Sequence, residues 1–239
     1  MRINKELCIE CMACYRNCPI GAIQSGPDGV VIPDDDCVEC GACLKVSNCP
    51  TGALYEQEEV ASLPRAIRKV FSNPTAPHTG TGVFGRGTEE VKTNDVTGRV
   101  RHGQVGVALE IGRPGVGARL SEAEKFTTVL VNLGVTFEPK NPLSQIMDLS
   151  TGKIRADVAN EKVLSAIVEF SIPLRRLDTI AAAIKDIAKT LDSPFSWGVI
   201  TRTDTSGYSP VLDHLARLSL DPRPCAKVNL GMGRPLAEK

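Results

Sequence analysis

Four cysteines crowd into CIECMACYRNCP, residues 8–19, and a near copy, CVECGACLKVSNCP, fills residues 37–50. Eight of the nine cysteines lie in these two stretches. Thiols pair as disulfides, attack electrophiles or, as thiolates, bind soft metals, and spacing selects among these. In a reducing compartment, clustered thiols serve metal or redox chemistry more often than disulfides. Cys8, Cys11 and Cys14 run as C-x2-C-x2-C, and Cys18-Pro19 closes the run after three residues. Cys37, Cys40 and Cys43 repeat the triplet, and Cys49-Pro50 closes it after five. Cysteines so spaced in a tight loop bend round a corner of a polynuclear cluster and offer three sulfurs to three metals. A zinc site takes pairs of ligands separated by a longer spacer. Paired zinc sites and disulfides are the alternatives to a cluster.

With PIGAI at 19–23 and PTGAL at 50–54 added, residues 1–56 resemble the dicluster bacterial-type ferredoxins. The resemblance implies two [4Fe-4S] clusters with crossed fourth ligands. Cys8, Cys11, Cys14 and Cys49 would bind cluster one; Cys37, Cys40, Cys43 and Cys18 would bind cluster two. The second run departs from the family by two extra residues, for which Val46 and Ser47 are the natural choice. This insertion lies beside Cys49 and removes no ligand. Hydrogen bonds to the sulfurs, burial and nearby charge such as Asp34, Asp35, Asp36 and Glu39 would tune the cluster potentials.

The elements that must hold these thiols follow from the rest of the chain. Lys plus Arg and Asp plus Glu number 28 each, so no basic field points to nucleic acid. MRINKELC has no apolar leader and no run of eighteen apolar residues occurs, so a cytoplasmic protein without a membrane span is expected. GAIQSGPDGVVIP reads as strand, turn and strand, and EQEEVASLPRAIRKVF as a short helix. The Pro- and Gly-rich stretch after it contains Gly80, Gly82 and Gly85 in G-x-G-x-x-G spacing. It lacks the preceding strand and following helix of a dinucleotide site, so it reads as an extended linker.

Downstream the periodicity changes to a βαβ pattern given twice. Strands are expected at 103–112, 135–138, 163–173 and 195–202. One helix would start at Ser121, with Glu124 in capping-box register, and place Phe126, Val129, Leu130 and Leu133 on one face. A second would carry Leu177, Ile180, Ile184, Ile187 and Leu191 on one stripe. The expected architecture is α+β: an N-terminal dicluster ferredoxin domain, then a ferredoxin-like or ACT-like βαββαβ sandwich with two helices on a four-stranded sheet. The division is 1–60 for the cluster domain, 61–100 for helix and linker, 101–208 for the α+β domain and 209–239 for a short helix and Pro-containing tail.

Gly112, Arg113, Gly115, Gly117 and Arg119 form a loop leading into a helix N-terminus, where backbone N–H groups could take an anion. The plainer reading is a turn that needs glycine for its backbone. His78, His102 and His214 lack neighbours at ligand spacing, and Cys225 reads as a free thiol. No catalytic residue emerges. The expected function is single-electron, low-potential transfer to or from a redox partner protein or larger anaerobic oxidoreductase complex, with the C-terminal domain as dock. An electron-transfer subunit is favoured over an enzyme on its own, and the α+β domain could also pair copies of the chain. The alternatives are an ACT-like small-molecule-responsive redox regulator and a subunit of a shared reductase active site.

Overall fold

The computed structural model describes residues 1–57, 64–77, 100–113 and 115–220. Gly80, Gly82, Gly85, His78, Cys225 and the tail beyond residue 220 lie outside the described residues.

The N-terminal module is built from short elements around its cysteines. Strand β1 (Arg2–Ile3) pairs antiparallel with β4 (Leu54–Tyr55), so the two ends of the module meet. Strands β2 (Gln24–Gly26) and β3 (Gly29–Val31) form the expected hairpin across the Pro27-Asp28 turn. Helix α1 (Ala42–Val46) begins inside the second cysteine run. A small core of Met1, Ile23, Val30 and Leu54 packs with Cys37 and Cys43. Such a core is too small to hold a fold alone, and domains of this size usually need a metal or a covalent staple.

Helix α2 (Ile67–Ser72) joins the two halves. It is shorter than expected and is not part of a free linker. Ile67 and Phe71 are buried in the core of the downstream domain, while Arg68 turns back toward the cysteine module.

Downstream, β5 (Gln104–Ile111) is followed by β6 (Ala118–Arg119) and β7 (Lys162–Val163), which pair antiparallel with each other. Strand β5 is the central strand of an antiparallel sheet ordered β8-β5-β9, with β8 at Ala166–Pro173 and β9 at Phe195–Thr201. Register is unbroken from Gln104↔Pro173 to Ile111↔Ala166, and Leu109 faces Trp197 across the other seam. One face places Val105, Val107, Leu109 and Ile111 in the core, as strand alternation requires. Helices α3 (Leu120–Asn132) and α4 (Leu177–Ala188) pack with these residues. On α4 the residues Leu177, Ile180 and Ile184 are buried, each worth about 1.5–3 kcal/mol of apolar transfer. Helix α5 (Val211–Arg217) adds Val211 and Leu215 to the same core.

Three expectations are corrected. The strand expected at 135–138 is an isolated bridge, Phe137 to Phe170, so the described sheet has three strands and not four. Glu138 N–H donates to the Glu169 carbonyl of the edge strand at 2.9 Å and Asn141 Nδ2 to the Glu169 carboxylate at 3.2 Å, so the chain stays tied to that strand at one residue without extending a ladder along it. The capping box does not form, because α3 starts at Leu120 and Glu124 instead accepts a hydrogen bond from the Ile154 backbone at 2.6 Å. Val129, assigned to the inner face, is 37% exposed, whereas Thr127 is fully buried and donates to the Gly152 carbonyl at 2.6 Å.

Candidate metal centre

The two cysteine runs fold alike in backbone detail. In the first, Glu10 and Met12 have φ of 55° and 56°; in the second, Glu39 and Gly41 at the matching positions have 56° and 71°. Each triplet thus passes through the left-handed region on both sides of its middle cysteine. For a non-glycine residue this costs on the order of 1–2 kcal/mol. The gain is a chain that curls tightly enough for three thiols to face one volume while backbone N–H groups turn inward. The closing segments match too: Gly21 and Gly52, three residues after Cys18 and Cys49, both have φ of 65°. The Ala22 backbone N–H donates to Cys18 Sγ at 3.1 Å, a bond that favours the thiolate.

The thiols fall into two neighbourhoods. Burial first, and then repulsion from Cys8, Cys11 and Cys49, push the Cys14 thiol up, with a backbone hydrogen bond opposing. Burial, followed by Cys37, Cys40 and Cys18, pushes the Cys43 thiol up to about 12. Cys40 is likewise raised by burial and by Cys18 and Glu39, and Cys37 by burial and Glu39. Cys49 is pulled down to about 7, mainly by the Thr51 backbone N–H. Cys18 therefore neighbours the second triplet and Cys49 the first.

Four thiolates crowded in this way repel one another and are desolvated, so the donor set needs a compensating cationic cluster to deprotonate fully. Among the described residues no group of three donors closes on a single ion position. A cube bonded at four separate corners does not ask for one, and the thiol pattern fits such a cube.

The acidic residues differ in role. Glu39 is 1% exposed and accepts from Arg65 Nη2 at 2.6 Å and from the Met1 amino group. Burial alone would raise its pKa, but these two cations outweigh burial and hold it below the usual carboxylate range. Asp34 pairs with Arg2 and lies 3.5 Å from Arg65; Asp36 lies 3.7 Å from Lys162; Asp35 is exposed. Around the first cysteine run the surface is more open: Cys11 is exposed, as are Leu7, Ile9 and Tyr15, and Val46 is exposed in the second run. The insertion is anchored by Ser47, which is buried and accepts from Asn17 Nδ2 at 3.2 Å.

The glycine loop at 112–117 is used inside the chain. Gly112 N–H donates to the Pro194 carbonyl at 2.9 Å, and Leu120 N–H to that of Glu161 at 3.1 Å. A Cβ on Gly115 would lie 3.6 Å from the Pro19 carbonyl, and one on Gly117 3.7 Å from Ile20, so the loop rests beside Cys18. Arg113 lies 3.2 Å from Glu110, and Arg119 donates to the Asn160 carbonyl. Of the histidines, His102 is exposed and His214 Nδ1 meets Asp178 at 2.7 Å. Sequence reasoning missed Arg65 and Arg68, whose partners lie up to 93 residues away and leave no local signal.

These features define a dicluster iron–sulfur module. Residues 7–59 match the 4Fe-4S dicluster domain family. An uncharacterized ferredoxin of Methanocaldococcus jannaschii is 42% identical over 60 residues, which are 24% of this chain and 94% of that one. A ferredoxin of Alicyclobacillus acidocaldarius is 45% identical over 47 residues, 20% of this chain and 58% of that one. A polyferredoxin of Methanothermobacter marburgensis is 47% identical over 59 residues, 24% of this chain and 13% of that one. The chain belongs to the dicluster ferredoxins through this N-terminal module, and two [4Fe-4S] clusters are its cofactors. It spans about half the length of several of the curated ferredoxins it matches.

Proposed function

We propose that the chain relays single low-potential electrons to or from a partner oxidoreductase, as an electron-transfer protein or subunit working in the cytoplasm of an anaerobe. Cys8, Cys11, Cys14 and Cys49 hold cluster one, and Cys37, Cys40, Cys43 and Cys18 hold cluster two. The observation that carries this reading is that Cys18, from the first run, lines one cavity with Cys37, Cys40 and Cys43 of the second, while Cys49 in turn acts electrostatically on Cys14 of the first. When bound, the clusters supply reversible one-electron chemistry at sulfur-ligated iron. The residues do the rest. The left-handed turns at Glu10, Met12, Glu39 and Gly41 aim the thiols, the Ala22 N–H steadies Cys18, and the small core keeps water from Cys37 and Cys43.

The exposed rim of Leu7, Ile9, Tyr15 and Val46 beside cluster one supports that edge as the point of exchange, because Gly115 and Gly117 rest at the other. The bridge at Phe137 lies on the outer side of β8, which supports reading the three-stranded sheet as a ferredoxin-like or ACT-like sheet whose fourth strand is reduced to one bridge. In this reading that domain is a scaffold that presents the cluster module to its partner at a fixed angle, and no helix among the described residues is long and apolar enough to cross a membrane. The boundaries 1–60, 61–100, 101–208 and 209–239 serve as its working division. The regulator alternative finds less support, since the loop N–H groups of Gly112 and Leu120 already donate to protein carbonyls.

Anaerobically isolated protein should carry about eight irons and about eight acid-labile sulfides. Cys18→Ala should remove the signal of the cluster held by Cys37, Cys40 and Cys43 and leave the other. About four irons in the unaltered protein, or loss of cluster one alone in the variant, would refute the assignment.

A further inference from the structure

Arg68 joins the two halves at the point where the cluster module and the C-terminal domain meet. Its side chain is 5% exposed. Nη1 donates to the Cys37 carbonyl at 2.6 Å and to the Asp34 carbonyl at 2.5 Å, while Nε pairs with the Glu161 carboxylate. Glu161, itself only 14% exposed, belongs to the C-terminal domain and stands next to Lys162 of strand β7 (Lys162–Val163). The charges facing this contact are Glu39 and Arg65 beside it, Asp34 and Asp36 on the cluster loop, and Lys162 opposite. A cation largely removed from water thus meets the main chain of Cys37, and an anion largely removed from water backs it from the other side of the guanidinium.

We infer that Arg68 and Glu161 set the reduction potential of cluster two with opposite signs, so that the C-terminal domain tunes the cluster it packs against. This rests on the ligand assignment proposed above. Reduction adds one negative charge to a cluster. A buried guanidinium on the Cys37 carbonyl favours that added charge, and water screens it little at this depth. Glu161 opposes it from the far side of the arginine. No equivalent bond from the C-terminal domain reaches the main chain of Cys8, Cys11, Cys14 or Cys49 among the described hydrogen bonds, so the effect falls on one cluster.

Two variants that break the same ion pair separate tuning from mere clamping. Full-length Arg68→Met and Glu161→Gln are poised in redox titrations, with each cluster followed by its paramagnetic signal. The signal lost in Cys18→Ala identifies cluster two. Arg68→Met should make cluster two harder to reduce, shifting its one-electron equilibrium about tenfold, or about 59 mV. Glu161→Gln should shift it in the opposite direction, and cluster one should move less than about threefold in both. Arg68→Lys, which keeps the charge, should recover most of the shift. Should Arg68→Met not load cluster two, Glu161→Gln and Arg68→Lys decide the matter. Shifts of the same sign in both pair-breaking variants, equal shifts at both clusters, or no shift would overturn the inference. About four irons per chain in the unaltered protein would instead overturn the two-cluster reading beneath it.

Discussion

Gly152→Ala should destabilise the C-terminal domain far more than an alanine usually does. Gly152 has φ of +74°, and a Cβ there would lie 2.4 Å from the Thr127 carbonyl oxygen and 2.6 Å from the Thr128 nitrogen, both backbone atoms of α3. Holding alanine in the left-handed region costs about 1–2 kcal/mol. Forcing a methyl group against a helix backbone that cannot swing aside costs about 1–3 kcal/mol more. The sum, roughly 2–5 kcal/mol, is a large part of the roughly 5–15 kcal/mol that a domain has in total. Gly134→Ala separates the two effects, because Gly134 has φ of +69° with nothing within 4 Å of its Cβ position. It should lose only the conformational cost, about 1–2 kcal/mol. Trp197, the only tryptophan, sits on β9 and reports unfolding of this domain by fluorescence in an anaerobic denaturant titration. Equal losses in the two variants would refute the reasoning, since they would mean that the loop lifts off α3 without resistance.

Removing Val46 and Ser47 should shift the potential of cluster one more than that of cluster two, because the two residues precede Cys49 closely in the chain and Ser47 anchors their loop to Asn17 of the first cysteine run; equal shifts in a redox titration would place the loop's influence elsewhere. The Asp178 carboxyl is held below the usual range chiefly by its hydrogen bond with His214, helped by the charges of His214 and Arg217. Its folded pKa is depressed, so its stabilising contribution is present above the unfolded value of about 3.9 and fades as pH falls through the folded one. Asp178→Asn should therefore be less stable than the unaltered protein near neutral pH, with the gap closing in acid. A gap that persists at the acid end of a pH series of denaturation midpoints would refute that account.

The cluster module was legible because its chemistry lies in identity and spacing. Cys8 to Cys18 and Cys37 to Cys49 state their pattern within a dozen residues each, and Gly21, Gly41 and Gly52 mark left-handed backbone by being glycine. Glu10, Met12 and Glu39 share that conformation without any compositional sign, since the fold imposes it on ordinary residues. Period-two alternation revealed β5, β8 and β9, and the 3.6-residue period revealed α4. The same local logic failed at Phe137, where VTFE has strand character but the chain departs after one bridge. It failed again at Ser121, whose backbone N–H donates to the Ala159 carbonyl at 2.8 Å where capping alone predicted a helix start. The partners of Arg65 and Arg68 depend on which surfaces meet, and nothing within a window of neighbouring residues encodes that.

Helix α2 presents Ile67 and Phe71 to one body and Arg68 to the other, which has a consequence for how such a chain can be recombined. A genetic exchange that swaps the ferredoxin cassette at the end of its family match, near residue 59, would leave behind the helix that clasps the main chain of Cys37. An exchange made after residue 77 would carry the clasp but tear two aromatic and aliphatic anchors from the domain left behind. Neither junction is clean. The two halves must therefore vary together across this seam, and a chimaera that keeps both intact needs Arg68 and Glu161 to come from the same parent.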